Sequence, residues 1–258
     1  MIAIDKLSYS SGLSDVSPEE KFAYAAATML VCVVSRSVLA AGMALTVSAV
    51  LNVKKGKVPA RRYFRFLLIP LAFLLLSTLA VFVNFSETPM DAYAVAVGNF
   101  YITSSRSGIL RGVQMILTAL AAISCLYVLS LNTPMTEILN VLEKLHVPET
   151  LIELMMLTYR FIFILMEEGL AVLTAQKARL GNRDLKTSVR SFGQMASVLL
   201  IRALKRSDAL YNAMESRCYD GRIRVLKKKY TVSKKRAAAL IGFEVLLIAA
   251  AVLERGVI

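Results

Sequence analysis

Apolar runs separated by basic segments constrain this chain more than any other feature. They cover residues 22–34, 38–51, 67–85, 113–131 and 237–253. In them the hydrophobic residues are continuous rather than striped, the pattern of helices that cross a bilayer. About 20 residues are needed to cross the hydrocarbon. The runs 67–85 and 113–131 come close to that length, and 237–253 is slightly short. The runs 22–34 and 38–51 are short, and Ser35-Arg36-Ser37 separates them. They form either one long tilted helix or a hairpin of two. A single helix would bury Arg36 deep in lipid, so the hairpin is the preferred reading.

The positive charge then sets an orientation. The chain has 258 residues, is 57% hydrophobic and carries a formal charge of +13. Its mean hydropathy is +0.60. Lysine and arginine gather in short cytoplasmic loops of membrane proteins. Lys54, Lys55, Lys57, Arg61, Arg62 and Arg65 fall in the stretch 52–66, which holds no acid. A second basic cluster, Lys227, Lys228, Lys229, Lys234, Lys235 and Arg236, precedes the last run. Both belong on the cytoplasmic side, where binding to anionic headgroups explains them. The hairpin reading places the N-terminus inside and the C-terminus outside. Met1–Lys21 is polar and acidic, with turn signals and no secretory-signal pattern. Ser17, Pro18 and Glu20 form a helix start of capping-box type. Residues 86–112 fit an outer connection with room for an interfacial helix.

Between the fourth and last runs lies a long helical insert, residues 132–236. Leu151–Leu173 is greasy but carries Glu153, Arg160, Glu167 and Glu168, too much charge for a span. Pro148 opens this helix and Gly181-Asn182 closes it. A second helix runs from about Ser188 to Ser216. Phe192, Met195, Leu199, Ala203, Leu210 and Met214 recur on it at helical spacing. The predicted fold is an all-α membrane protein. Residues 1–131 form an N-terminal membrane part, 132–236 a cytoplasmic helical insert, and 237–258 a fifth transmembrane helix.

No catalytic constellation is present. The sequence lacks a GxxxxGK[ST] phosphate loop, a GxSxG elbow and an HExxH pair. His146, the single histidine, rules out a histidine-based metal cluster within the chain and suits a loop. Cys32, Cys125 and Cys218 lie far apart and imply neither a disulfide nor a metal site. Glu167 and Glu168 are adjacent and point to different helix faces. Glu244, inside the last run, is either a functional intramembrane carboxylate or a polar contact within the bundle. No basic-aromatic platform supports nucleic-acid binding. Arg179 and Arg217 carry the strongest functional signal. Each lies at the end of a long helix, beside small residues and before a break. A cation there also suits the helix dipole alone.

Tyr159-Arg160-Phe161, Ala178-Arg179-Leu180-Gly181 and RALKRSDALYNAMESRCYDG over 202–221 resemble the transmembrane T component of energy-coupling-factor (ECF) transporters. The resemblance is strongest to the cobalt-type CbiQ branch and covers nearly the whole chain. It implies a scaffold that holds a substrate-binding membrane (S) subunit and docks onto two ABC ATPase subunits. ATP and magnesium would be bound by those partners, with no cofactor, metal or nucleic acid bound by this chain. Two Ala-Arg-Gly-like signatures make the docking contacts in the family. Carried over, Arg179 and Arg217 become docking residues, flanked by Ala178 and Leu180 and by Ser216 and Cys218. Leu180 and Cys218 depart from the small third residue, and Ser216 from the alanine. The implied function is ATP-coupled uptake of cobalt or nickel. Two alternatives are a T component of a vitamin-importing module and, in a different class, a membrane-anchored lipid- or nucleic-acid-binding protein.

Overall fold

The structure is a computed structural model. It describes residues 3–82, 84–86, 93–97, 100–104, 106–221, 223, 228, 230 and 233–257. The chain divides into two compact units. One comprises Ile2–Ile138 with Lys229–Ile258 and is called here the membrane unit; the other, Leu139–Lys228, is the hairpin unit. The expected insert, 132–236, encloses the hairpin unit. The helical architecture holds, with one small sheet added.

The membrane unit opens with α1, Ala3–Tyr9, where the sequence suggested only turns. Next come α2, Pro18–Ser35, and α3, Val38–Val50. They break where the hairpin reading placed the break. Arg36 ends α2 in the left-handed region at φ 48°, and Ser37 caps α3 by accepting from the Ala40 amide at 3.1 Å. Glu254, from the last helix, closes the same α3 terminus. It accepts from the Val38 and Leu39 amides at 3.2 and 3.1 Å and from the Ser37 hydroxyl. A carboxylate at a helix N-terminus satisfies orphan N–H groups and suits the dipole. At α2 the expected capping box does not form. Ser17 sits at the N-cap with Pro18 behind it, but its side chain makes no cap bond. Glu20 turns instead to the Ser233 amide at 3.3 Å and the Arg236 guanidinium at 3.3 Å.

A π-helical turn, Leu51–Lys55, extends α3. The next helix, α4, spans Ala60–Phe82. Arg61, Arg62 and Arg65 are therefore helical and exposed rather than part of a loop. The apolar run expected to end at 85 is helical only to Phe82. Strands β1 (Asn84–Ser86), β2 (Tyr93–Val97) and β3 (Phe100–Ser104) follow, antiparallel in the order β1-β3-β2. Ile102 pairs with both Phe85 and Val95. These strands occupy the region read as a connection with an interfacial helix. Their aromatic and β-branched residues favour extended backbone over helix. Then come α5, Arg106–Asn132, and α9, Lys234–Val257; α6, Met135–Lys144, lies on the boundary between the units.

Among the described residues three segments are long and apolar enough to cross a membrane: Val38–Lys55, Gly108–Asn132 and Lys234–Glu254. In the membrane unit α5 packs against α2, α3 and α4, and α9 packs against α2 and α3. The core shared by α2, α3, α5 and α9 is made of small residues: Cys32, Ala40, Ala41, Ala44, Ala121, Cys125 and Ala251, with Leu247. Small side chains let helices approach closely where lipid removes the hydrophobic drive for association. Leu68, Ile69, Phe73 and Leu76 of α4 stay exposed, as a lipid-facing surface requires.

Several buried polar groups along this core form hydrogen-bonded pairs. Tyr24 and Ser48 share a hydrogen bond of 2.9 Å, and Tyr63 and Ser124 one of 2.6 Å. The Asn132 amide donates to Asn52 Oδ1 at 2.8 Å and accepts from the Ser11 hydroxyl at 2.7 Å. Glu244 accepts from the Thr28 hydroxyl at 2.6 Å. Glu244 therefore makes one polar contact within the bundle, and its Oε2 is buried with no hydrogen-bond partner among the described residues.

Candidate functional site

The hairpin unit is built on two long antiparallel helices, α7, Glu149–Ala178, and α8, Leu185–Glu215. Side chains stitch the turn between them. Gln176 Nε2 donates to the Ser191 carbonyl at 2.8 Å, and Ser191 Oγ donates to the Gly181 carbonyl at 2.8 Å. At the opposite end Glu153 of α7 holds the residues after α8. It accepts from the Tyr219 hydroxyl at 2.8 Å and the Ile223 amide at 2.5 Å. The hydrogen bond to Glu153 raises the Tyr219 pKa, because it favours the protonated phenol. The bond is complete below the ordinary tyrosine pKa and is lost as pH rises through the raised one. Replacing Glu153 with alanine should speed hydrogen exchange at the Ile223 amide by at least about tenfold, since hydrogen bonds to charged groups are the stronger ones. An unchanged rate would show that this tether carries no stability.

Met195, Leu199, Ala203, Leu210 and Met214 are half-buried on α8, as their spacing predicts. Phe192 is not among them. It is 65% exposed, and Ser191 occupies the buried position. Phe192 joins Leu185, Val189, Leu200, Leu204 and Tyr211 in an exposed apolar stripe. An exposed stripe of this length marks an interaction surface.

Each of the two helices ends in the same way. At the end of α7 the Arg179 amide bonds to the Gln176 carbonyl at 3.1 Å, Leu180 to Lys177 at 3.1 Å and Gly181 to Gln176 at 2.8 Å. At the end of α8 the Arg217 amide bonds to Met214 at 3.0 Å, Cys218 to Glu215 at 3.0 Å and Tyr219 to Met214 at 3.1 Å. These are Schellman caps in the same register. Leu180 and Cys218 hold the left-handed residue at φ 55° and 56°. In each cap the arginine comes immediately before that residue. The cap alone does not make a site, because α6 closes identically with His146 at φ 61° and no arginine.

Ala178, Arg179, Leu180, Ser216, Arg217 and Cys218 are all exposed. Among the described residues neither Arg179 nor Arg217 takes part in an ion pair. The two arginines are not brought together. They lie at opposite ends of α8, whose 31 residues span about 46 Å at 1.5 Å per residue. The Ser216 hydroxyl bonds back to the Asn212 carbonyl at 2.7 Å.

The left-handed third position explains why a small residue, glycine above all, suits it. An L side chain pays roughly 1–2 kcal/mol there. Leu180 is 70% exposed, so little packing offsets that cost. Leu180→Gly should stabilise the hairpin unit by about 0.5–1 kcal/mol, read as slower exchange at the Gly181 amide. Faster exchange would mean that the leucine side chain holds the turn.

Among the described residues no group of three or more histidine, cysteine or carboxylate side chains could hold a metal ion. Cys32 and Cys125 are buried thiols, and Cys218 is an exposed one.

Residues 10–228 match the CbiQ family, described as cobalt transport protein. The chain belongs to that family. An uncharacterised protein of Methanocaldococcus jannaschii is 33% identical over 98% of this chain and 93% of its own. The cobalt transport protein CbiQ of Salmonella typhimurium is 30% identical over 86% of this chain and 98% of its own. An energy-coupling factor transporter transmembrane protein EcfT, from Leuconostoc gelidum subsp. gasicomitatum, is 30% identical over 69% of this chain and 70% of its own. Membership of the CbiQ family makes the chain a membrane-embedded transporter component of the ECF type.

Proposed function

We propose that this chain is the T component that couples ATP hydrolysis by two partner ATPase subunits to uptake of a transition-metal ion. The metal is cargo, cobalt or nickel, and is taken up through a separate substrate-binding membrane subunit. The observation that carries the reading is the matched pair of caps. Each presents an exposed arginine without an ion pair among the described residues, and α8 holds the two about 46 Å apart by its length. That spacing suits one contact on each of two ATPase subunits. The arginine fork can bond a carboxylate or helix-end carbonyls in a partner groove, which a lysine matches poorly. Closure of the ATPase pair on ATP would displace the capped ends and so move α7 and α8 as a lever of fixed length. In this reading the hairpin unit faces the cytoplasm and five helices cross the membrane: α2, α3, α4, α5 and α9. The exposed stripe on α8 offers the S subunit an apolar surface.

The cobalt transport names among the relatives favour a metal cargo. The EcfT relative keeps one second reading in play, a T component that serves vitamin-binding subunits. Uptake by cells expressing this chain with its ATPase and S partners separates the two. Accumulation of radioactive cobalt that stops without the chain supports the metal reading. Vitamin accumulation without metal accumulation would replace it.

A further inference from the structure

A cleft inside the hairpin unit is left without a role by the docking caps. It has a volume of about 590 Å³ and lies between the middle of α7 and the second half of α8. Arg160 and Phe161 of α7 line it opposite Arg202, Lys205 and Arg206 of α8. Among the described residues Glu168 is its one carboxylate, 3.7 Å from Arg202. Among the described residues Arg160, Lys205 and Arg206 have no ion-pair partner. Four cations against one carboxylate give the cleft a strong positive excess, and its volume is within the range of a ligand pocket. Phe161, Ile164, Ala209 and Leu210 supply the apolar part of its wall.

We propose that this cleft binds the phosphodiester headgroup of an anionic phospholipid, with the start of the acyl chains against the apolar part of the wall. Charge complementarity calls for an anion, and the apolar surroundings call for an amphiphile. An acidic peptide would meet the first demand and leave the Phe161, Ile164 and Leu210 wall uncovered. Basic clusters beside apolar surface recognise anionic headgroups through the same combination of forces. The headgroup sits on the Arg160, Lys205 and Arg206 side, away from Glu168. The lipid would anchor the middle of the two-helix lever while its capped ends remain available to partners.

The chain contains no tryptophan, so Phe161→Trp places a single reporter in the cleft wall. The full-length variant in neutral detergent is titrated with phosphatidylglycerol carrying brominated acyl chains. Quenching of the indole is expected, with at least about tenfold weaker quenching by brominated phosphatidylcholine. Adding Arg202→Gln, Lys205→Gln and Arg206→Gln should weaken the phosphatidylglycerol response by about tenfold or more. Lys186→Gln with Arg190→Gln, exposed on the first half of α8 and outside the cleft, should leave it unchanged. Equal quenching by both lipids, or an undiminished response in the triple variant, overturns the proposal. Displacement of the lipid by glycerol 3-phosphate at the same concentration would make the cleft a small-anion site instead. Displacement by polyglutamate would make it a peptide site.

Discussion

Replacing both Arg179 and Arg217 with alanine should abolish ATP-driven uptake while the chain still inserts and folds. Each single substitution should lower uptake by at least about tenfold, because a buried interface arginine is worth about 2 kcal/mol or more. The fold should survive because both side chains are exposed and neither takes part in an ion pair among the described residues. At most a few tenths to about 1 kcal/mol of helix-dipole stabilisation is lost at each end. Lysine at either position should restore the charge but only part of the uptake, since it lacks the planar fork. The caps use separate helix ends, so two single variants that each retain full uptake would mean that neither end is a coupling point. Full uptake by the double variant would remove the docking assignment outright.

Asn132→Ala should destabilise the membrane unit by about 3 kcal/mol, or roughly 6–12 °C in thermal unfolding. Asn132 is fully buried, and its side-chain bonds have distinct partners. Oδ1 accepts from Ser11; Nδ2 donates to Asn52 Oδ1 and to the Val128 carbonyl, the latter at 2.9 Å. Its carbonyl accepts from Lys21 Nζ at 2.9 Å. Truncation leaves Ser11 and Asn52 buried without those partners, and the cost of an unmade buried bond exceeds the gain from a made one. The surrounding backbone adds a second constraint. Gly56 packs so closely on the Asn132 side chain and the Asn52 carbonyl that a methyl group there would collide with both. Gly56→Ala should therefore lower stability through the same network. Ser197→Ala, which removes only an exposed bond to the Gly193 carbonyl, is the matched control and should change little. Unfolding of Asn132→Ala within about 1 °C of the parent would show that the network is not a stability element.

Much of this architecture was legible because a bilayer makes simple demands on a sequence. Continuous apolar runs marked the helices, and Arg36 marked the break between α2 and α3. The charges on Leu151–Leu173 set α7 apart from the spans. Three kinds of feature escaped. The sheet over 84–104 is made of very short strands, whose alternation is too brief to compete with the helical pattern around it. Glu20 and Glu254 were out of reach because their partners lie more than two hundred residues away in sequence. Phe192 was misplaced because a one-residue shift rotates a helical side chain by about 100°, enough to move it from the inner face to the outer one. At the candidate site the arginines could be read from the sequence, whereas the left-handed turn after each could not. Leucine and cysteine are poor signals for positive φ, which glycine would have announced.

The most direct test of ATPase docking needs no substitution. Cys218 is an exposed thiol one residue beyond Arg217, while Cys32 and Cys125 are buried. Maleimide should therefore label Cys218 selectively in the full-length chain. Adding the ATPase pair should slow that labelling by at least about tenfold if the end of α8 enters a groove on an ATPase. Labelling of Cys218 at the same rate in a stable complex with the ATPases would contradict docking at that cap.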